Sequence, residues 1–280
     1  MSVKLEHVLK RIQDLPPLPT SAMRVLELLK KPETSAKELE FVIGQDPALT
    51  AGILRQANSA FYGYARRISS LQDAIVILGF KVLQSLAMTA AVAPLLKTPI
   101  VGYEIEQDGL WQHSILTGIA AKSICKRLKL PHGDAAFTAG LLHDIGKIII
   151  SIYVQQLGDY MLERVNIAQL SYVELEEKII GFSHATVGGF AAKGWNLPND
   201  LVECISFHHS PKDAKENVTL ASVVHVANAL ANTLGVGGGV DSFLNPLQPE
   251  ALERLNISDS TMELVIADLG EYLQDPAIFH

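Results

Sequence analysis

Helix-start signals recur along the chain and constrain its fold more than any other feature of the sequence. Ser35-Ala-Lys-Glu38 and Ser171-Tyr-Val-Glu174 both fit the capping box, in which the two side chains satisfy free backbone N–H groups. Asp46-Pro47 and the pair Ser70 and Asp73 predict two further helix starts. Apolar residues recur at helical spacing between these signals, and strand patterns are nearly absent. The sequence therefore predicts an all-α fold.

Three apolar stretches need interpretation within this pattern. Gly79 is expected to interrupt or end the helix that starts near Ser70. Ile148-Ile149-Ile150 could form a strand, but it continues a helical pattern with no turn residue before it. Residues 82–96 are the most apolar stretch, and they fall short of the roughly 20 residues that cross a bilayer. We interpret them as a buried helix that ends near Pro94.

Two polar segments that contain glycine and proline divide the chain, at residues 97–109 and 235–249. They predict an N-terminal helical lobe over residues 1–108, a central helical core over 109–234, and a C-terminal loop with helices over 235–280. The net charge of −7 argues against a general nucleic-acid binder, which needs a basic surface. Two cysteines exclude a disulfide framework, and the N-terminus has no apolar signal core. We expect a cytoplasmic protein outside the membrane.

His143 and Asp144 stand side by side in the otherwise apolar segment 139–150. A carboxylate buried there without a partner would cost several kcal/mol, so a hydrogen-bonding partner or a metal is required. Imidazole and carboxylate together suit Zn, Fe or Mn. Neighbouring residues on a helix point about 100° apart, so they share one ion only near a helix end or distortion. Gly146 makes such a distortion plausible.

Four further histidines stand out in the same half of the chain: His113, His184, His208 and His209. Each alone is ordinary, and a hydrogen-bonded polar pair is the alternative interpretation of the His143-Asp144 dipeptide. His225 fits a hydrogen-bonded core histidine better than a metal ligand. The combination of six residues favours a metal site.

The order of the motifs resembles the HDOD family, within the HD superfamily of metal-dependent phosphohydrolases, over roughly residues 15–230. The matching segments are Leu15-Pro-Pro-Leu-Pro19, Gln45-Asp-Pro-Ala-Leu-Thr50, Ala57-Asn-Ser-Ala-Phe-Tyr-Gly63, Ile68-Ser-Ser-Leu-Gln-Asp-Ala-Ile75, Leu78-Gly79, Trp111-Gln-His-Ser114, Gly140-Leu-Leu-His-Asp-Ile-Gly146, Gly181-Phe-Ser-His-Ala-Thr-Val-Gly188, Trp195-Asn-Leu-Pro198 and Ile205-Ser-Phe-His-His209. The resemblance implies an all-helical protein with an N-terminal lobe packed on an HD-type helical core.

The resemblance also implies a ligand set. HD cores usually hold their metal with a histidine, the His-Asp pair and a later aspartate, which match His113, His143, Asp144 and the position of Asn228. Asparagine is neutral and therefore a weaker, degenerate ligand for a divalent ion.

The related HD-GYP branch, which hydrolyses cyclic di-GMP, binds further metal ions. Its additional histidines match His184, His208 and His209. However, Gly109 stands where that branch often carries a glutamate, and the stretch after His209 lacks its glutamate and Gly-Tyr-Pro signature. The resemblance therefore implies a partly preserved metal site for Fe, Zn or Mn.

Two functions follow as expectations. The resemblance favours a regulatory module that acts on signalling proteins in another chain, or on a nucleotide or phosphate ligand. An interaction surface is expected around the aromatic and basic residues of the N-terminal lobe, and exposed apolar faces could support a homodimer. These residues are Phe61, Tyr62, Tyr64, Arg66 and Arg67, and simple core packing is the alternative interpretation of the aromatic ones.

The alternative is a metal-dependent phosphohydrolase for nucleotides or cyclic dinucleotides. The metal would lower the pKa of a bound water, and Asp144 would serve as ligand or proton acceptor. Lys147 would offset negative charge on the phosphoryl oxygens. A solvated or carboxylate-paired lysine is the other interpretation of Lys147.

Overall fold

The computed structural model describes residues 20–29, 31, 33–59, 61–63, 67–151, 153–155, 170–242 and 244–274. Within these residues the regular structure is helical and contains no β-strand, with one isolated bridge between Ile100 and Ile105. The all-α prediction is confirmed.

The helices are α1 (Thr20–Leu29), α2 (Ala36–Gly44), α3 (Pro47–Ala57), α4 (Leu71–Leu96), α5 (Gly109–Arg127), α6 (Gly133–Leu142), α7 (residues 145–151 and 153–155), α8 (Tyr172–Leu175) with a π-helix (Glu176–Ile180), α9 (His184–Gly194), α10 (Asn199–Phe207), α11 (Val218–Thr233), α12 (Pro249–Leu255) and α13 (Asp259–Leu273). Short 3₁₀ turns cover Val101–Tyr103 and Pro211–Asp213.

Residues 20–94 and 268–274 form one compact unit, built as the helix-start signals predict. Ser35 and Glu38 make both bonds of the capping box, and Asp46 accepts hydrogen bonds from the first backbone N–H groups of α3. Leu39 and Ile53 are fully buried in its apolar core. Both belong to the apolar residues that recur at helical spacing after these start signals.

Gly79 interrupts α4 as predicted, with φ 75° and ψ 171° between two helical stretches. Glycine adopts such a positive φ at little energetic cost because it has no Cβ. The helix is longer than the apolar stretch predicted from the sequence because it begins at Leu71, where Ser70 accepts a hydrogen bond from the N–H of Asp73. By length and composition alone α4 could cross a membrane, but 56% of its most apolar window is buried, as in the core helices of soluble proteins.

Of the predicted aromatic surface, Phe61 and Tyr62 are half-buried. Phe61 contacts the ring of Tyr62 edge-on at 4.8 Å and that of Tyr272 at 5.5 Å. Tyr64 and Arg66 lie outside the described residues.

Residues 95–267 form the second unit, in which α5 is buried along most of its length. Gly118 and Gly140 let α5 and α6 approach closely, because a Cβ at Gly140 would lie 2.9 Å from the Cα of Gly118. This contact brings the start of α5 near the end of α6. Residues 148–150 are helical, which settles their interpretation. The three-part division of the chain stays a prediction.

Candidate metal centre

The second unit brings the predicted ligands together from several helix ends. His113 lies on α5, and His143 and Asp144 form the turn between α6 and α7. His184 is the first residue of α9, and His208 and His209 follow α10 directly. All are buried except His209, which is partly exposed. The His-Asp pair thus sits at a helix end, which is the geometry that sharing one ion requires.

The carboxylate of Asp144 is the centre of this cluster. Its Oδ1 lies 3.3 Å from Nε2 of His184 and 3.6 Å from Nε2 of His208. Its Oδ2 lies 3.3 Å from Nε2 of His143 and 3.6 Å from Nε2 of His113. Donor atoms within 4.8 Å of one another form two groups, namely Asp144, His184, His208 and His209, and His113, His143 and Asp144.

Two of the histidines are held in a defined orientation by the backbone. Nδ1 of His143 donates to the carbonyl of Gly140 at 2.7 Å, and Nδ1 of His208 donates to that of Ile205 at 2.8 Å. The proton on Nδ1 leaves a lone pair on Nε2. Both Nε2 atoms are buried without a hydrogen-bond partner. A divalent cation beside Asp144 would satisfy them, so the residues present fit a metal.

Glu176 orients His184 in a similar way, and sequence reasoning missed it. It lies fully buried on the π-helix, and its Oε2 accepts hydrogen bonds from Nδ1 and from the backbone N–H of His184, both at 2.8 Å. Tyr103 donates its hydroxyl to the same carboxylate. Glu176 belongs to no sequence motif described above. Its approach to His184 depends on the π-helical turn that it begins, and the sequence carries no signal for that turn.

Lys147 is buried and paired with two carboxylates. This agrees with its interpretation as a carboxylate-paired lysine. Its Nζ lies 2.8 Å from Oδ2 of Asp144 and 2.7 Å from Oδ2 of Asp241. Burial opposes its charge, but the two carboxylates together raise the pKa of Lys147. Sequence reasoning also missed Asp241, which follows the glycine run Gly237–Gly239 in a loop without helical pattern.

Burial dominates the electrostatics of the histidines. It lowers the pKa of His113 to about 4 and that of His208 to about 3, which keeps both imidazoles neutral. Burial would also lower the pKa of His184, but Glu176 and Asp144 outweigh it and raise that pKa to about 10. For Asp144, burial is outweighed by neighbouring positive charge, so its pKa lies well below the usual range.

Asn228 lies against His113 and makes no contact with Asp144 at ligand distance. Its Oδ1 is 3.0 Å from Nε2 of His113 and also accepts from the side-chain amide of Asn232 at 3.2 Å. His225 is a hydrogen-bonded core histidine, as expected. It donates to the carbonyl of His208 and accepts from the N–H of Gln248.

A cavity of about 1160 Å³ reaches the cluster at His209. Five carboxylates and two cationic side chains lie along its wall, so its charge is predominantly negative. These residues are Glu174, Glu177, Asp213, Glu250 and Glu253, with Lys212 and Arg254.

Structures of known proteins share this fold. An HDOD domain protein of unknown function from Geobacter sulfurreducens is 28% identical, with a TM-score of 0.73 over 96% of each chain. A candidate phosphohydrolase from Shewanella amazonensis is 22% identical, with a TM-score of 0.71 over 95% of this chain and 97% of that one. At this identity the second likeness concerns the fold alone.

An uncharacterized protein from Treponema pallidum is 27% identical over 224 residues, which are 78% of this chain and 42% of that protein. The chain thus spans less than half the length of this relative. The HDOD domain model matches residues 15–211, which include most of the candidate ligands. This chain belongs to the HDOD domain family.

Proposed function

We propose that this chain is a cytoplasmic regulatory HDOD module that holds a divalent metal ion at Asp144 and acts on signalling proteins in other chains. Metal binding is supported by one observation above all. His143, His184 and His208 each have Nδ1 engaged in a hydrogen bond, and each directs Nε2 toward the same buried carboxylate. Histidines that bind metal ions in proteins are oriented by a hydrogen bond from their other ring nitrogen in the same way. Fe, Zn or Mn suits nitrogen donors with one oxygen.

Regulation is favoured over hydrolysis by the charge of the cavity at His209. A phosphodiester is an anion, and the excess of carboxylates along the wall would repel it. Lys147, which a hydrolase would use to offset phosphoryl charge, is buried between two carboxylates. Asn228 and Gly109 supply no charge where related enzymes place carboxylates.

A metal-dependent phosphohydrolase is the second candidate, because His209 joins the cluster to the cavity and so gives a ligand access. A bound metal ion would supply an activated water molecule and polarise a phosphoryl oxygen. Asp144 would then hold the ion or take up a proton, and the orienting contacts of Glu176 would keep His184 in place. Nucleotides or cyclic dinucleotides are the corresponding substrates.

Elemental analysis and a turnover assay separate these functions. We expect Fe, Zn or Mn in protein supplied with these metals, reduced in His208→Ala and retained in His132→Ala, a change at an exposed histidine. Absence of metal in all preparations would contradict the metal site. Turnover of cyclic di-GMP or a generic phosphodiester that Asp144→Asn abolishes would establish the hydrolase and overturn the regulatory proposal.

A further inference from the structure

The two oxygens of Asp144 have different surroundings. Oδ1 faces the imidazoles of His184 and His208, which bind a metal ion once Nε2 carries no proton. Oδ2 faces His143 and His113 but also the ammonium of Lys147, the nearest of its neighbours at 2.8 Å. One side of the carboxylate therefore faces imidazoles that a metal ion can bind, and the other side holds the ammonium of Lys147.

We propose that the centre holds a single divalent ion, on the Oδ1 side, and that Lys147, held by Asp241, occupies the position of a second cation on the Oδ2 side. This inference rests on the proposed metal binding and adds its stoichiometry and location. It also assigns a positioning role to Asp241, which lies beyond the residues matched by the family model.

The Oδ1 side has the better donor set. His208 has Nδ1 engaged elsewhere and offers a lone pair on Nε2, and His184, held by Glu176, offers one when the incoming ion displaces the proton on its Nε2. Nε2 of His209 lies 3.0 Å from Nε2 of His184. Two ligands at a right angle on an ion with bonds of about 2.1 Å are separated by about 3.0 Å. Three nitrogens and one oxygen thus surround one position.

On the Oδ2 side one histidine is already engaged. Nε2 of His113 lies 3.0 Å from Oδ1 of Asn228, an acceptor, so this nitrogen carries the proton and has no lone pair for a metal. Among the described residues, His143 then remains as the one histidine beside Oδ2 that can offer a nitrogen donor. A divalent ion entering there would also meet the Lys147 ammonium at short range in a buried site, where charge repulsion is strong.

The loop that carries Asp241 is packed and hydrogen-bonded against neighbouring backbone. This loop packs on the start of α5. The two backbones approach so closely that a Cβ at Gly237 would lie 2.1 Å from the carbonyl oxygen of Gly109. The N–H of Val240 donates to the carbonyl of Tyr103 at 3.0 Å. The loop covers Gly109 and supplies the carboxylate that binds the lysine.

The test is the number of metal ions per chain at saturating Mn²⁺ or Zn²⁺, measured by equilibrium dialysis with elemental analysis. We expect one ion in the wild-type protein and in Lys147→Arg, which keeps the cation. Lys147→Met removes the cation and frees Asp241 as an additional oxygen donor, so a second ion is expected. A single ion in folded Lys147→Met, or two in the wild type, would overturn the inference.

A second pair of variants locates the ion in an otherwise unchanged centre. His208→Ala should weaken binding at least about 10-fold, whereas His113→Ala should leave one ion bound with nearly unchanged affinity. The reverse result would place the ion on the Oδ2 side and refute the inference alone. A wild-type protein that binds no ion would contradict the proposed function and this inference together.

Discussion

Glu176 accepts a hydrogen bond from Nδ1 of His184 at 2.8 Å, and this contact turns Nε2 of the same ring toward Asp144. The carboxylate is itself fixed by the hydroxyl of Tyr103 and by the backbone N–H of His184. A carboxylate behind a histidine ligand sets the ring orientation and increases its basicity. We therefore expect Glu176 to act as a positioning residue for the proposed metal centre.

Replacing Glu176 with glutamine should weaken metal binding by about 10- to 100-fold, because the amide is a poorer acceptor and carries no charge. Competition with a chromogenic chelator measures this change. Glu177→Gln is the matched control, since the neighbouring side chain is exposed and its replacement should leave the affinity unchanged. Equal affinities for both variants would remove Glu176 from the site.

Gly146 is required by the close approach of α7 to the start of α9. A Cβ at this position would lie 1.9 Å from the carbonyl oxygen of His184 and 2.8 Å from the backbone nitrogen of Gly188. Because both contacts are with backbone, no side-chain rotation relieves them. We expect Gly146→Ala to cost about 3 kcal/mol or more in unfolding free energy and to reduce metal content.

Gly44→Ala is the control for this substitution, because a Cβ at Gly44 meets no atom within 4 Å. Its unfolding free energy should stay within about 0.5 kcal/mol of the wild-type value or rise slightly, since alanine favours a helix. Chemical denaturation of both variants gives the comparison. Wild-type stability in Gly146→Ala would show that α7 and α9 can move apart freely.

Metal binding should also stabilise the fold, since the ligands come from separate helices and meet only in the folded chain. At a metal concentration about 100 times the dissociation constant, the expected gain is about 2.7 kcal/mol. Thermal unfolding with and without chelator measures it as a shift of several degrees. His208→Ala should lose most of the shift and His132→Ala should keep it.

The sequence predicted the helices because their start signals are local. Ser35 and Asp46 need only the next three residues to make their caps. The cluster histidines were recognised by their combination with Asp144 and by the family motifs. Such signals depend on neighbours in the chain or on a recurring motif order.

The two supporting carboxylates could not be predicted in the same way. Glu176 reaches His184 through a π-helical turn, and Asp241 meets Lys147 from a loop 94 positions further along the chain. Neither residue lies in one of the short motifs on which the family resemblance rests. The burial of a charged side chain also depends on packing that only the folded chain determines. Sequence reasoning therefore brought forward the residues of the cluster as candidate ligands but missed the residues that orient and neutralise them.

Glu203 is expected to provide a pH-dependent contribution to stability away from the candidate metal centre. Its carboxylate accepts hydrogen bonds from the backbone N–H groups of Lys215, Glu216 and Asn217, and from the side-chain amide of Asn217. Burial opposes ionisation, but these donors outweigh it and lower the pKa of Glu203. The segment before α11 is thereby tied to α10.

Because the folded state lowers this pKa, the ionised carboxylate stabilises the protein above the ordinary glutamate pKa of about 4.3. That contribution is lost as the pH falls through the lower pKa of the folded state. Glu203→Gln should therefore cost about 1–2 kcal/mol at pH 7, and its difference from the wild type should shrink below pH 4. Thermal unfolding over this range tests the prediction, with Glu216→Gln at an exposed side chain as control. A difference that stays constant from pH 7 to pH 3.5 would contradict the role of the charge.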